Sequence, residues 1–434
     1  MRKIEELGRP AILTLDPYVP GKPIEEVERE FGITGVIKMA SNENPLGPSP
    51  AVIEALKAAA PRVFNYPDSN CYYLKREMAS FYSLSEDHFI FGNGADEIIK
   101  MIGEAFLNPG DEVIHAWPTF SEYIFASKLM GAKPCSVPVG ENFKHDLKKI
   151  AERVGSNTKL IFICNPNNPT GTIISRQEMQ EFFEKIPSDI VVVVDEAYYE
   201  YVTDPQCSSA VELVDKNRVI VLRTFSKIYG LAGLRIGCGI ASPDLISLIN
   251  RVREPFNVNL MAQEAAVAAL KDQAHVSQSK ELVIDGKVYL YGEFERLGLG
   301  YIPSETNFIF VDIKRDSKEV FTALLKEGVI VRTGDIFDRP NYIRVTVGTP
   351  EQNKRFIICL EKVHGRIGDN GVTSERRKTL EVRCALCGKK EIITDVHKDF
   401  ERLEKNPKTT YFCEMCLSRV QYEAVEYNKP KKPI

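Results

Sequence analysis

No stretch of this 434-residue sequence approaches the roughly 18 consecutive apolar residues that a membrane-spanning helix needs. The opening Met1-Arg2-Lys3-Ile4-Glu5-Glu6 lacks the apolar core of a secretory leader. Strong charge of one sign is also missing: 56 Lys and Arg stand against 60 Asp and Glu, a formal balance of -4. That balance argues against a nucleic-acid binder and against a protein held on a lipid surface. Internal repeats and low-complexity tracts are absent ahead of the closing Lys429-Pro430-Lys431-Lys432-Pro433, which reads as a disordered end. A soluble cytoplasmic protein is therefore expected. With 44% hydrophobic residues the chain has material for a large core, divided over two or three domains.

The ten cysteines are unevenly used. Cys71, Cys135, Cys164, Cys207, Cys238 and Cys359 stand singly, mostly in apolar surroundings, and read as reduced thiols. Cys384, Cys387, Cys413 and Cys416 instead form two Cys-x-x-Cys pairs, the spacing of a four-thiolate structural zinc site. Two disulfides, or an iron–sulfur cluster, are the alternatives. The polar stretch after His364-Gly365 reads as a linker, and the short segment beyond it is too small to build much core, so bound metal would supply folding energy. The segment resembles the small bacterial zinc-ribbon proteins.

Three apolar runs end in polar residues. Ile190-Val191-Val192-Val193-Val194 stops at Asp195-Glu196-Ala197-Tyr198; Leu160-Ile161-Phe162-Ile163-Cys164 stops at Asn165-Pro166-Asn167-Asn168-Pro169-Thr170-Gly171; Val219-Ile220-Val221-Leu222 leads into Thr224-Phe225-Ser226-Lys227. Continuous β-branched runs of this kind read as strands buried on both faces of a parallel sheet. Their carboxyl ends are where open α/β sheets bind ligands. Phe89-Ile90-Phe91, Gly92-Asn93-Gly94 and Ala95-Asp96-Glu97 read as strand, turn and helix start, so free backbone N–H groups face an anion there. Lys227 stands eight residues before Arg235 among small residues, the pattern of a covalent cofactor site with a phosphate clamp. Each feature has a plainer reading in isolation: Asp195 as a strand-end turn, Gly92 to Gly94 as a tight turn, Phe120 as core.

Taken together and in this order, the four segments resemble the fold-type I pyridoxal-phosphate enzymes of the class I/II aminotransferase group, over roughly residues 1 to 365. The resemblance implies pyridoxal 5'-phosphate as cofactor and gives each residue a role. Lys227 holds the cofactor covalently and then moves a proton between substrate and cofactor carbons. Asp195 keeps the ring nitrogen protonated. Asn168 and Tyr198 reach the phenolic oxygen, and Phe120 stacks on the ring. Ala95, Asp96, Thr224, Ser226 and Arg235 surround the phosphate, with Tyr66 reaching it from a neighbouring subunit, which implies a homodimer with shared active sites.

Within the group the chain is most similar to the histidinol-phosphate aminotransferase family. The similarity is carried by Leu15-Asp16-Pro17-Tyr18-Val19-Pro20-Gly21-Lys22-Pro23, by Ala40-Ser41-Asn42-Glu43-Asn44-Pro45-Leu46-Gly47 and by Tyr342-Ile343-Arg344-Val345-Thr346-Val347-Gly348. It implies histidinol phosphate and glutamate or 2-oxoglutarate as substrates. Arg344 and Arg332 would take their anions, and Tyr18 and Asn44 would line the substrate side. Thr333-Gly334-Asp335-Ile336-Phe337-Asp338-Arg339 departs from the family's Gly-rich segment, and its two acids would disfavour a phosphorylated substrate unless Arg339 offsets them.

The expected architecture is α/β: a large domain (residues 41–255) with a mostly parallel sheet flanked by helices, and a smaller α/β domain (256–365) joined by part of an N-terminal arm (1–40). A linker (366–380) and a four-cysteine zinc-ribbon-like module (381–428) follow. Whether that module meets nucleic acid is left open by the sequence. Two neighbouring activities stay open: an aromatic or broad-range amino-acid aminotransferase, and a phosphothreonine or phosphoserine decarboxylase of corrinoid synthesis. From another class, the chain would be a metabolite-sensing regulator that works through the four-cysteine module.

Overall fold

The computed structural model describes residues 7–15, 21–367, 379–386, 388, 390–394, 400–406 and 409–411. Tyr18, Cys387, Cys413 and Cys416 lie outside the described residues. The chain divides into two compact units, Met1–His364 and Gly365–Ile434.

In chain order the strands of the first unit are β1 (Ile37–Lys38), β2 (Phe89–Gly92), β3 (Glu112–Trp117), β4 (Lys133–Pro138), β5 (Thr158–Cys164), β6 (Val191–Asp195), β7 (Val219–Thr224), β8 (Gly237–Ala241), β9 (Gly300–Ile302), β10 (Phe308–Asp312), β11 (Val329–Ile330), β12 (Arg332–Thr333) and β13 (Tyr342–Thr346). A seven-stranded sheet has the order β2-β8-β7-β6-β5-β3-β4. Its strands run parallel except β8, which is antiparallel to both β2 and β7. A second sheet, β12-β13-β10-β9, is four-stranded and antiparallel. The short β1 pairs with β11, tying the first residues of the chain to the last third of this unit.

The apolar runs explain the large sheet. Every residue of β6 is buried, and its two-residue period sends Val192 and Val194 into one core layer and Val191 and Val193 into the other. Ile161 and Ile163 of β5 fall in the first layer, and Leu160 and Phe162 in the second. At about 1.5–3 kcal/mol for each fully buried valine, leucine, isoleucine or phenylalanine, these short strands hold the centre of the fold. They also fix where their carboxyl ends lie: Cys164 pairs with Asp195, and Asp195 with Leu222.

The helix Ala95–Phe106 buries Ile98, Ile99, Met101 and Ile102 and starts from Gly94, which supplies no side-chain cap. Its first-turn N–H groups are therefore left for a ligand. Elsewhere the starts are closed conventionally, as at Arg176–Lys185, where Ser175 and Glu178 form a reciprocal capping box.

In the second unit, β14 (Thr379–Arg383) and β15 (Lys390–Thr394) form an antiparallel hairpin. The first of these strands begins inside the stretch expected to be linker, because Thr379-Leu380-Glu381-Val382-Arg383 alternates polar and apolar residues. The helix Pro350–Ile367 likewise runs two residues past the expected boundary. Val382, Cys384, Leu403 and Tyr411 make a small core. Gly388 donates to the Cys384 carbonyl at 2.9 Å, closing a turn directly after Cys384. Among the described residues no group of three or more His, Cys, Asp and Glu is placed to hold a metal.

Candidate active site

The carboxyl ends of β5, β6 and β7 open into a cavity of about 450 Å³. Ala95, Asp96, Phe120, Asn168, Asp195, Tyr198, Thr224, Ser226, Lys227, Arg235, Arg332 and Arg344 all line it.

Asp195 is the last residue of β6 and is 4% exposed. Tyr123 donates its hydroxyl to Oδ2 at 2.7 Å, and the Ala197 N–H donates to Oδ1 at 3.1 Å. Burial pushes the Asp195 pKa up to about 6, against the pull of these two donors. Behind it, Glu196 and Arg223 form a buried ion pair at 2.7 Å. Arg223 also reaches Glu200 at 2.8 Å and lies over the Tyr199 ring. This pair ties the end of β6 to the end of β7. Losing one partner would leave a buried charge uncompensated, at about 3–5 kcal/mol.

Lys227 sits in the loop after β7, its Nζ donating to the Ser41 carbonyl at 3.0 Å. Burial first, and the Arg344 charge second, lower its pKa from 10.5 to about 8, so the neutral amine is far more available near neutral pH than on an ordinary lysine. The loop turns at Gly230 (φ +70°), where an added Cβ would lie 2.3 Å from the Gly47 carbonyl oxygen. A short turn, Ala232–Leu234, then delivers Arg235 in the left-handed region at φ +57°. Its guanidinium meets Asp96 Oδ2 at 3.0 Å and the Ala232 carbonyl at 3.2 Å. Gly94 holds φ +84°, a conformation strained for any residue with a Cβ, and the Arg235 guanidinium lies close enough that an added Cβ would stand 2.5 Å from Nη2.

Tyr198 is buried, and burial drives its pKa above the ordinary phenol range. Its oxygen accepts from Asn42 Nδ2 at 2.8 Å, leaving the hydroxyl proton free to be donated. Asn42 itself is held at φ +58°. Its backbone N–H donates to Thr346 Oγ1 at 3.0 Å, and its carbonyl accepts from Asn307 at 2.9 Å.

Arg344 lies on β13, 7% exposed, over the ring of Phe308. It donates to Asn168 Oδ1 at 2.5 Å and to the Ala40 carbonyl at 2.6 Å. Arg332 on β12 is its direct cross-strand partner. Like charges placed opposite each other cost stability, so two arginines in register beside one cavity point to an anionic ligand.

Two of the residues expected at the site do not line this chain's own cavity. Asn44 is absent from the cavity wall: its Nδ2 donates to the Ile228 carbonyl at 2.7 Å and to Ser279 Oγ at 2.9 Å. Its amide is spent bracing the Lys227 loop. Tyr66 is 82% exposed, stacks on Phe256 at 4.7 Å and does not reach the cavity of its own chain. Tyr18 falls outside the described residues.

The acids of the unusual segment turn away. Asp335 pairs with Lys318 at 3.0 Å, and Asp338 accepts from Trp117 Nε1 at 2.6 Å. The intervening Ile336 and Phe337 line the cavity instead. Arg339 lies over Phe143 and donates to the Asp338 carbonyl, so it offsets nothing in the site. Sequence reading misses the roles of Asn42 and Tyr123. Tyr123's spacing, three residues after Phe120 at a helix start, is the available signal.

A carboxylate, a depressed lysine, a neutral phenol, an aromatic wall, and an arginine beside a bare helix start fit the ring nitrogen, aldehyde, phenolic oxygen, ring face and phosphate of pyridoxal phosphate. The Gly94 turn, where the Arg235 guanidinium meets the uncapped helix start, gives the fit its phosphate end. Comparison with known proteins agrees: residues 34–359 match the family profile described as aminotransferase class I and II. The chain belongs to the class I and II aminotransferases.

Two relatives of this aminotransferase are named histidinol-phosphate aminotransferase. The protein from Moorella thermoacetica is 57% identical over 82% of this chain and 92% of its own, and that from Caldicellulosiruptor saccharolyticus is 49% identical over 82% and 99%. The crystal structure of histidinol-phosphate aminotransferase from Sinorhizobium meliloti, in complex with pyridoxal-5'-phosphate, matches with a TM-score of 0.77 at 26% identity, covering 83% of this chain and 98% of that one. Residues 380–429 of this aminotransferase match a family described as an uncharacterized protein conserved in bacteria. No helix among the described residues is long and apolar enough to cross a membrane.

Proposed function

We propose that this aminotransferase moves the amino group between histidinol phosphate and 2-oxoglutarate, giving imidazole-acetol phosphate and glutamate in histidine biosynthesis. One observation carries the reading: Arg332 and Arg344, opposite each other on β12 and β13, line the same cavity as Lys227. Both amino donors bring an anion, phosphate in one and carboxylate in the other. A planar guanidinium takes either through paired hydrogen bonds.

Pyridoxal phosphate, when bound, supplies an electron sink for the carbon that loses its proton. The chain's residues do the rest. Arg344, fixed by Asn168 and Ala40, receives the carboxylate common to glutamate and its oxoacid. Arg332 reaches the phosphate of the larger donor. Lys227 Nζ, its pKa lowered to about 8, accepts the proton at the substrate carbon and returns it. Asp195 holds positive charge at the ring nitrogen, and Tyr198 donates toward the phenolic oxygen. Ile336 and Phe337 offer an apolar wall that excludes water.

Several further assignments belong to the same reading. Tyr66, exposed as are Phe64 (83% exposed) and Tyr73 (71% exposed), serves the cofactor phosphate of a second copy in a homodimer. Cys384, Cys387, Cys413 and Cys416 hold one structural zinc. The burial of Cys384 and the turn closed by Gly388 support this. The enzyme works in the cytoplasm.

The test is product formation. Purified protein given histidinol phosphate and 2-oxoglutarate should yield glutamate, at a kcat/KM well above that with phenylalanine. Carbon dioxide from phosphothreonine, with no glutamate formed, would establish the decarboxylase reading instead.

A further inference from the structure

Tyr123 opens the helix Glu122–Leu129 and is fully buried. Its ring stacks on Phe162 of β5 at 4.6 Å, 9° from parallel. Phe120 meets it edge-on at 5.7 Å and 85°. Its carbonyl accepts from Ser127 Oγ at 2.6 Å, which pins the helix turn that carries the Tyr123 ring. A phenylalanine would fill this space equally well. The hydroxyl is therefore what needs explaining, and it is spent on Asp195 at 2.7 Å.

Asp195 needs that donor. The groups that bear on it are Asp96 from the helix Ala95–Phe106, Cys164 at the end of β5, Tyr198 from the loop after β6 and Lys227 from the loop after β7. Asp96 disfavours its ionised form and Lys227 favours it. Its two hydrogen-bond donors, Tyr123 and the Ala197 amide, are neutral. A buried carboxylate without them would protonate near neutral pH and no longer hold charge at a ring nitrogen.

We propose that Tyr123 is a positioning residue: its hydroxyl fixes the Asp195 carboxylate toward the cofactor ring nitrogen while its ring fixes Phe120 against the cofactor face. The inference rests on the reading that Asp195 meets that nitrogen. Tyr123 touches no reacting atom and acts through two residues that face the cofactor.

The experiment measures retention of pyridoxal phosphate by apoprotein, and the pH midpoint of the bound cofactor's visible band, for Tyr123→Phe and Asp195→Asn beside the unmodified chain. Tyr123→Phe should weaken retention about tenfold, the loss of one charge-assisted hydrogen bond. It should also move the acid-side midpoint upward, with KM for glutamate changed less than twofold. Retention within twofold and an unmoved midpoint in Tyr123→Phe, alongside lost retention in Asp195→Asn, overturns the inference and leaves the Asp195 reading standing. Unchanged retention in both variants overturns both. If Tyr123→Phe does not fold, Tyr123→His, which keeps an aromatic donor, replaces it. Retention within threefold is then expected, and a tenfold loss with native circular dichroism overturns the claim.

Discussion

Arg332→Gln should separate stability from substrate choice. Arg332 faces Arg344 directly across two antiparallel strands, so removing its charge relieves a like-charge pairing worth about 0.2–1 kcal/mol. Thermal or urea unfolding of the variant should show stability unchanged or raised within that range. Catalysis should move the other way. A guanidinium bonded to phosphate contributes about 1.5–3 kcal/mol, so kcat/KM for histidinol phosphate should fall by roughly tenfold to a hundredfold or more. The glutamate half-reaction depends on Arg344, which keeps its bonds to Asn168 and Ala40, and should fall less than threefold. Both half-reactions can be followed separately in stopped flow through the cofactor's absorbance. Equal losses for the two donors, or a variant destabilised by more than about 1 kcal/mol, would refute the assignment of Arg332 to the phosphate.

Other consequences can be measured directly. Lys227 has a folded-state pKa lowered to about 8 from an ordinary 10.5. The penalty of its buried charge is therefore present below pH 8 and relieved between 8 and 10.5, where the unfolded chain binds the extra proton. The rate of cofactor attachment to apoprotein should rise with a midpoint near pH 8, and Lys227→Ala should show no lysine-linked absorbance at any pH. Gly94→Ala, which puts a Cβ on a residue at φ +84° and pushes the Arg235 guanidinium aside, should weaken pyridoxal-phosphate retention about tenfold while far-ultraviolet circular dichroism stays native. Metal analysis should find about one zinc per chain, lost on truncation after residue 380, if four thiolates bind it.

What the sequence disclosed and what it hid follow from the range of the interactions. The strands β5, β6 and β7 are readable because burial on both faces demands unbroken apolar runs, and Lys227, Asp195 and Asn168 because they stand at the ends of those runs. The uncapped helix at Ala95 is readable from the Gly92 to Gly94 turn. The Tyr123–Asp195 bond joins residues 72 positions apart, and the spacing of Tyr123 from Phe120 does not name its partner. Nor does local sequence reveal that Arg332 and Arg344 are in register, since the loop between them sets the pairing. Asp335 and Asp338 invite a reading toward the substrate because a count of charges carries no direction. The turn Asp335–Phe337 points its apolar residues inward and gives the acids to Lys318 and Trp117. Similarity alone puts Asn44 on the substrate side, and only the fold shows its amide bonded to the carbonyl next to Lys227.

The central claim is that Lys227 and the two arginines work on one amino group in one cavity. Nitrogen-labelled glutamate supplied with imidazole-acetol phosphate tests it most directly, with mass spectrometry of the product. The unmodified chain should give histidinol phosphate carrying the label, and Lys227→Ala should give none. Unlabelled product, or labelled product from the Lys227→Ala protein, would contradict it.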